Sequence, residues 1–252
     1  MASQITGPGI LYVNSKIARA DILDEAGYMK WYEEDHIPEI IEIDVIKSAL
    51  RWKDVDPKAD KPYLVTYPMQ DIGFTQSPEF KKIAVHSKLL PGGGPIYDLA
   101  DIDVRYYGLI QVFDPTKLGA GKTKFIMTAA METGDGLTDE EFDDWYRKEH
   151  LGQLSHVPGY VRTTRYKLLY YRTNAQSREL KGLPPRDADI ATEAPPTWLA
   201  IHEFDSVGVD QKKIMALADT EWSKKILANV RQMLTPCYTF VKGFGDSKFF
   251  HE

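Results

Sequence analysis

The sequence of 252 residues is poor in cysteine and lacks long apolar runs. Its single cysteine, Cys237, cannot form an internal disulfide, and without an acidifying neighbour it is typical of a packing residue rather than a nucleophile. No apolar run approaches the roughly 18 to 20 residues that a membrane-spanning helix requires. The first residues lack the basic opening and apolar block of a secretory signal. These absences predict a cytoplasmic protein with no membrane association.

The chain also has fewer basic than acidic residues, and it lacks common metal-binding sequence patterns. The chain has 31 Lys and Arg against 37 Asp and Glu, a formal net charge of −6, which argues against a general nucleic-acid-binding protein. No His-x-His or His-Glu-x-x-His pattern occurs, so we predict no required metal. The glycine run 92–94 follows a predicted helix, whereas a phosphate-binding loop opens one, so we interpret it as a turn. The expected partner is a small molecule.

A six-residue pattern occurs twice in the chain. Trp31-Tyr32-x-x-Asp35-His36 returns as Trp145-Tyr146-x-x-Glu149-His150, and each matched residue lies 114 positions later, as in 145 − 31 = 114. The apolar segment 10–13 matches 124–127 at the same offset, whereas 63–66 matches 198–201 at 198 − 63 = 135. We therefore divide the chain into units 1–116 and 117–252, with an insertion at about 172–196 in the second unit.

The insertion carries four prolines and many charges, which is too polar for a core element. We expect a surface loop there, with a lid, an interface arm and plain disorder as the alternatives. Because only one half contains it, the two predicted pockets need not be equivalent.

Each unit is predicted to have the element order β-α-β-β-α-β. The predicted strands are 9–16, 46–52, 63–69 and 104–113 in the first unit and 124–131, 160–171, 197–204 and about 239–244 in the second. Asp24 and Thr138 are predicted to cap the first helices, and 78–89 and 219–234 are predicted to be the second helices. This order gives a four-stranded antiparallel sheet with helices on one face. The open faces of two such sheets require each other, which predicts an α+β fold of two fused ferredoxin-like units in a pseudo-symmetric barrel.

The repeated motif on the first helix of each unit, completed by His36-Ile37-Pro38 in the first, resembles that of the EthD-like family of the dimeric α+β-barrel superfamily. The second unit departs from the pattern at Gly152, where the family has proline. The resemblance implies pockets between sheet and helices, often without a cofactor. It also implies either a monomer containing an internal pseudo-dimer or a further homodimer. Relatives include cyclases, isomerases, dehydratases, decarboxylases and cofactor-independent monooxygenases.

The candidate catalytic residues are the repeated pairs Tyr32 with His36 and Tyr146 with His150. Each pair is four residues apart, about one turn along a helix, so phenol and imidazole could share one proton network. Imidazole can remove and return a proton near neutral pH, and the phenol could polarise a substrate oxygen. The alternative is structural, because histidine can also bond the open carbonyls at a helix end.

A third histidine, His202, lies on a predicted strand where the first unit has Tyr67. It is the asymmetric candidate for a general base, with a hydrogen-bonded core histidine as the alternative. The predicted substrate contacts are the motif tryptophans and three further strand residues: Trp31, Trp145, Tyr67, Arg51 and Arg165.

Together these features predict a cofactor-independent enzyme that acts on a small aromatic or polyketide-type metabolite by acid/base proton transfer. A cyclase, isomerase, dehydratase or decarboxylase is the first hypothesis. A cofactor-free monooxygenase of a phenolic substrate is the second, and a non-catalytic ligand-binding barrel is the third.

Overall fold

A computed structural model describes residues 5–185, 193–207, 209 and 211–248, without the side chains of residues 211, 212, 215 and 218. The described part of the chain contains nine antiparallel strands, eight of which close into a barrel. The strands are β1 (Gly9–Ile17), β2 (Ser48–Asp54), β3 (Tyr63–Met69), β4 (Ala100–Phe113), β5 (Phe125–Thr133), β6 (Tyr160–Arg172), β7 (Trp198–Phe204), β8 (Val230–Leu234) and β9 (Cys237–Gly245). The order around the barrel is β7-β6-β4-β1-β3-β2-β9-β5, and β5 returns to pair with β7.

Short helices lie outside the barrel. They are α1 (Glu25–Trp31), α2 (Ile37–Glu42), α3 (Pro78–Lys81), α4 (Asp139–Trp145), α5 (Leu151–Leu154), α6 (Asn174–Leu180), α7 (Gln211–Ala216) and α8 (Glu221–Ala228). Asp24 and Thr138 cap α1 and α4 as predicted, each accepting a hydrogen bond from the amide three residues later. Among the described residues, no helix is long and apolar enough to span a membrane.

The two halves of the barrel pair with each other through their edge strands. We call β1 to β4 with their helices the first unit, and β5 to β9 with theirs the second unit. The strand order β4-β1-β3-β2 of the first unit corresponds to β9-β5-β7-β6 in the second, while β4 pairs with β6 and β2 pairs with β9 across the units. An unpaired sheet edge invites wrong pairing, and closure removes these edges. The predicted α+β fold of two fused ferredoxin-like units is confirmed.

Alternation along β1 separates two cores. Ile10 and Tyr12 point into the barrel, whereas Leu11 and Val13 point outward against the first-unit helices. This is the period of two that an extended strand imposes. A pocket between sheet and helices therefore lies outside the barrel.

Both predictions for the second helices were wrong in length. In the first unit α3 covers only Pro78–Lys81, and the Nζ atom of Lys181 then takes the carbonyls of Lys81 and Ile83 at 2.7 and 2.9 Å. In the second unit α8 ends at Ala228, and the following segment pairs with β5 as β8. After α3 and after α8, hydrogen bonds to distant parts of the chain are therefore made where helical hydrogen bonds were expected.

The described part of the insertion is not a plain loop. After β6 the chain forms α6, which begins with a reciprocal capping box between Thr173 and Gln176. Asn174, Ser177 and Arg178 are buried, against the expectation that the segment was too polar to join a core. Residues 186–192 of the predicted insertion lie outside the described residues.

Candidate functional site

The first unit encloses a cavity of about 320 Å³ between the outer face of its sheet and its helices. Leu11, Val13 and Val104 supply aliphatic wall from the strands. Trp31, Tyr32 and His36 of the repeated motif and Tyr67 of β3 also line it, which brings four predicted site residues together. The volume is at the lower end of the range of about 300 to 1,000 Å³ typical of small-molecule pockets.

A π-helical turn between α1 and α2 presents the motif to this cavity. The amide of Ile37 donates to the carbonyl of Tyr32, five residues earlier, so residues five apart overlie each other. The imidazole of His36 consequently stacks on Trp31, with ring centroids 4.7 Å apart and planes at 18°. Tyr32 meets the same imidazole edge-on at 5.6 Å. The regular α-helical spacing assumed from the sequence was therefore wrong, although Tyr32 and His36 do come together.

The side chain of His36 is half-buried in the wall of the cavity. Its Nδ1 atom is buried and makes no hydrogen bond to any of them. Burial lowers the pKa of His36 to about 4, with the Asp35 carboxylate opposing the shift and the Lys181 ammonium adding to it. The imidazole is therefore neutral at pH 7 and able to accept a proton.

The cavity tyrosines are held as neutral phenols. Burial raises the pKa of Tyr32 to about 12 and raises that of Tyr67 well above its ordinary value. A neutral phenol donates a hydrogen bond, and so either hydroxyl suits a carbonyl or phenolate oxygen on a ligand. The cavity thus combines proton-accepting and proton-donating groups in apolar surroundings.

The second unit gathers its own predicted residues in a similar cluster. His150 stacks on Trp145 at 4.4 Å and 17°, and Tyr146 meets it edge-on at 5.2 Å. His202 adds a fourth ring, 6.3 Å from His150 and 6.5 Å from Tyr146. All four belong to the set predicted from the sequence.

Several polar atoms of this cluster lack partners. The hydroxyl of Tyr146, Nδ1 of His150 and Nε2 of His202 are buried without a hydrogen bond to any described residue. Nδ1 of His202 lies 2.8 Å from the Thr163 hydroxyl, which accepts a hydrogen bond from Tyr160 at 2.7 Å. Burial lowers the pKa of His150 to about 4. Such atoms are normally satisfied by water or a small ligand.

Further aromatic side chains pack around the motif of the second unit, as Tyr28 and Tyr63 do in the first. Phe142 stands where the first unit has Tyr28 (142 − 28 = 114) and packs on Trp198 at 5.2 Å and Tyr146 at 5.3 Å. Trp145 is anchored, since its Nε1 atom donates to the Ser223 hydroxyl at 3.0 Å. This hydrogen bond attaches the motif of the second unit to α8.

The two predicted arginines are engaged in ion pairs. Arg51 pairs with Glu33 on the π-helical turn and is not among the residues that line the cavity. Arg165 pairs with Asp143 at 2.7 Å, and its guanidinium lies 4.1 Å from the ring centroid of Tyr146. Both arginines hold a helix onto the sheet.

Sequence reasoning missed two cations of the first-unit cavity, Arg172 and Lys181, which come from the second unit. The available signal was the insertion itself, which begins at about Arg172.

Other chemistries find little support in the described residues. No group of three or more His, Cys, Asp or Glu among them could hold a metal ion. Cys237 is buried, and burial raises the pKa of its thiol to about 11, so the thiol stays protonated near neutral pH.

No family model matches the chain. The chain is similar to core atranone cluster protein 1 of Stachybotrys chlorohalonatus, with 25% identity over 202 residues, covering 79% of this chain and 83% of that protein.

Solved structures resemble the chain over nearly its whole length. An anthrone oxidase-like protein is 14% identical, with 99% of this chain and 98% of that chain covered and a TM-score of 0.55. A provisionally assigned monooxygenase of Fusobacterium nucleatum is 10% identical, with 98% and 97% covered and a TM-score of 0.54. A chlorite dismutase variant of Candidatus Nitrospira defluvii is 10% identical, with 94% and 92% covered and a TM-score of 0.53. These likenesses establish the fold, which is that of the dimeric α+β barrels.

Proposed function

We propose that the chain is an EthD-like, cofactor-independent enzyme that oxidises a small aromatic or polyketide-type compound with dioxygen. The observation that carries the proposal is the neutral imidazole of His36, unpartnered among the described residues, in the wall of an apolar cavity. A base beside apolar side chains suits the removal of a proton from an activated carbon or a phenol.

The proposed reaction balances without an external reductant. His36 takes a proton from an activated methylene group while Tyr32 donates a hydrogen bond to the neighbouring oxygen. The carbanion gives its electrons to dioxygen and forms a C–O bond, and the resulting peroxide anion takes the proton back from His36. Loss of water from this hydroperoxide leaves a ketone. One oxygen atom stays in the product and the other leaves as water, so the methylene compound and dioxygen give one ketone and one water.

The charge formed in this step also favours the base. Burial, with a smaller contribution from Lys181, holds the pKa of His36 near 4, below the range in which a general base works best. An anion formed beside the imidazole opposes that effect and raises its pKa. The base is thus strongest when the anionic product of its own step is present.

The comparisons support oxidation over the first hypothesis from the sequence. Structures with this fold include proteins described as a monooxygenase and as anthrone oxidase-like. The apolar wall is also suited to dioxygen, which is an uncharged molecule. Cyclisation or isomerisation is the second candidate, because His36 and Tyr32 would equally form an enolate and return its proton.

The test uses the full chain with anthrone and a panel of hydroxynaphthalenes as substrates. The protein is first treated with a chelator, and its absorbance spectrum is recorded so that a bound flavin or haem would be seen. We expect oxygen uptake above the spontaneous rate, with one ketone formed per dioxygen. Product formation without oxygen uptake would favour the cyclase, and binding without any product would favour the ligand-binding barrel.

The role of His36 is tested by His36→Gln with His86→Gln as the matched control. His86 is exposed and lies outside the cavity lining. Loss of a general base lowers the rate by about 100-fold or more. We expect that loss in kcat for the first variant alone. Equal activity of the two variants, both shown to be folded by circular dichroism, would contradict the assignment.

A further inference from the structure

The wall of the first-unit cavity contains cations that belong to the second unit. Arg172 ends β6 and Lys181 follows α6, so both come from the predicted insertion. We infer that residues 172–181 form an anion-binding wall, and that the ligand carries an acidic oxygen, a carboxylate or a phenolate, on an aromatic body. The inference rests on the proposed function, because it names the ligand class of the same cavity.

Arg172 has no counter-ion among the described residues, since no carboxylate of theirs lies within ion-pair distance of it. Its guanidinium donates to the hydroxyl of Tyr106 and lies 5.3 Å from the centroid of that ring. Its Nε atom is buried and has no hydrogen-bond partner in the described part of the chain. A buried N–H of a cation without an acceptor is costly, and a ligand oxygen would satisfy it.

Lys181 is bound through neutral acceptors. Its Nζ atom donates to the carbonyls of Lys81 and Ile83, neither of which cancels its charge. Burial and the charge of Arg172 lower its pKa, and Glu39 opposes that shift. The Glu39 carboxylate is itself engaged by the amide of Ala84 at 2.9 Å. The lysine therefore keeps bonding capacity for a third acceptor.

The lining as a whole is positive. Lys81, Arg172 and Lys181 contribute to it, whereas no Asp or Glu is among the described lining residues. This occurs in a chain whose formal net charge is −6. Cations beside apolar wall are stabilised by an anion that also buries apolar surface. An aromatic acid or phenolate combines the two properties.

The wall is fixed in place before any ligand arrives. The side-chain oxygen of Asn174 accepts from the amide of Ile102 at 3.2 Å. Arg178 donates to the carbonyl of Tyr97 at 3.1 Å and pairs with Asp98. These contacts attach α6 to the first unit, so the two cations are held at the cavity rather than free in solvent.

The test measures binding by calorimetry at pH 7.5, without turnover. Two matched pairs of probes are used: 2-naphthoate with its methyl ester, and 2,4-dinitrophenolate with 2,4-dinitroanisole. Hydrogen bonds to charged groups contribute about 1.5 to 3 kcal/mol, so we expect an anion to bind about 10-fold to 100-fold more tightly than its neutral partner. A preference in one pair only would identify the carboxylate or the phenolate as the anion.

Variants separate the two cations from the rest of the cavity. In Arg172→Gln and Lys181→Met the preference should shrink, while the affinity for the neutral ester stays within about 3-fold. Arg105→Gln is the matched control, because Arg105 lies over the ring of Tyr12 at 5.8 Å but does not line this cavity. It should keep the preference.

Equal binding of anion and neutral partner, binding of no probe, or a preference that survives in the double variant would overturn the inference. Anion preference without catalytic turnover would support the anion-binding wall and refute the proposed enzyme. Turnover without anion preference would support the enzyme and refute the anion-binding wall.

Discussion

At the residue scale, the burial of His202 makes the free energy of unfolding depend on pH. His202 is fully buried, and burial, followed by His150 and Arg165, lowers its pKa to about 3 from an ordinary value of 6.5. Between these values the unfolded chain binds a proton that the folded chain excludes. The free energy of unfolding therefore falls as pH falls through this window, by at most about 1.4 kcal/mol per pH unit for one such group.

We predict that His202→Tyr flattens this dependence. The substitution places in the second unit the residue type that the first unit has at Tyr67, and so it removes the titrating group while keeping a ring. Urea midpoints measured from pH 6.5 to pH 4 should fall less steeply in the variant. His86→Gln, which alters an exposed histidine, should keep the original slope. An unchanged slope in His202→Tyr would show that His202 is not the buried neutral group described.

The sequence pattern indicated which aromatic residues and which histidine gather in the first unit, but not which charged residues pair with each other. Trp31, Tyr32, His36 and Tyr67 line the cavity as their pattern indicated. Arg51 also lies on a strand, yet its charge is taken by Glu33, whose position depends on a π-helical turn. Which strand arginine keeps an unpaired charge is decided by such tertiary contacts, and so Arg172 was not found.

At the scale of elements, α6 is the part of the second unit that completes a site in the first. Arg178 is 3% exposed and reaches the carbonyls of Tyr97 and Pro184 as well as Asp98. One buried side chain thus joins α6 to the first unit and to the chain that follows it. The cations of the cavity wall depend on this attachment.

We predict that Arg178→Met loosens α6 without unfolding the barrel. Loss of hydrogen bonds to a charged group costs about 1 to 3 kcal/mol, which is enough to detach a short helix. Hydrogen exchange should accelerate in the amides of α6, while those of β1 and β3 keep their protection. Global loss of protection, or no change in α6, would contradict this role.

Elements set by local pattern were predicted better than elements set by distant partners. β3 and β7 were predicted to within one residue at each end, since alternation and turn residues define them. The segment 230–234 was expected to be helical, but its pairing with β5 makes it a strand. The segment 82–89 was also expected to be helical, but the carbonyl of Ile83 binds Lys181 of the other unit and the amide of Ala84 binds Glu39.

At the scale of the whole molecule, a single closed barrel carries two unequal sites. We propose that the chain is a tandem duplication divided into 1–116 and 117–252, on the strength of the common offset of 114 and the matching strand orders. The first site has a cavity and cationic wall, whereas the second has a histidine, His202, in place of Tyr67 and 6.3 Å from His150. Arg172 and Lys181 of the second unit thus line the pocket of the first.

The central claim is that the first-unit cavity is the working pocket. The variants His36→Gln and His150→Gln form a matched pair. Each of these histidines ends a π-helical turn and stacks on a motif tryptophan. The decisive measurement is kcat/KM for both variants on the same substrate, with folding checked by circular dichroism. The account predicts a loss of about 100-fold or more for His36→Gln and a change of less than about 3-fold for His150→Gln. The opposite ranking, or equal losses, would contradict it.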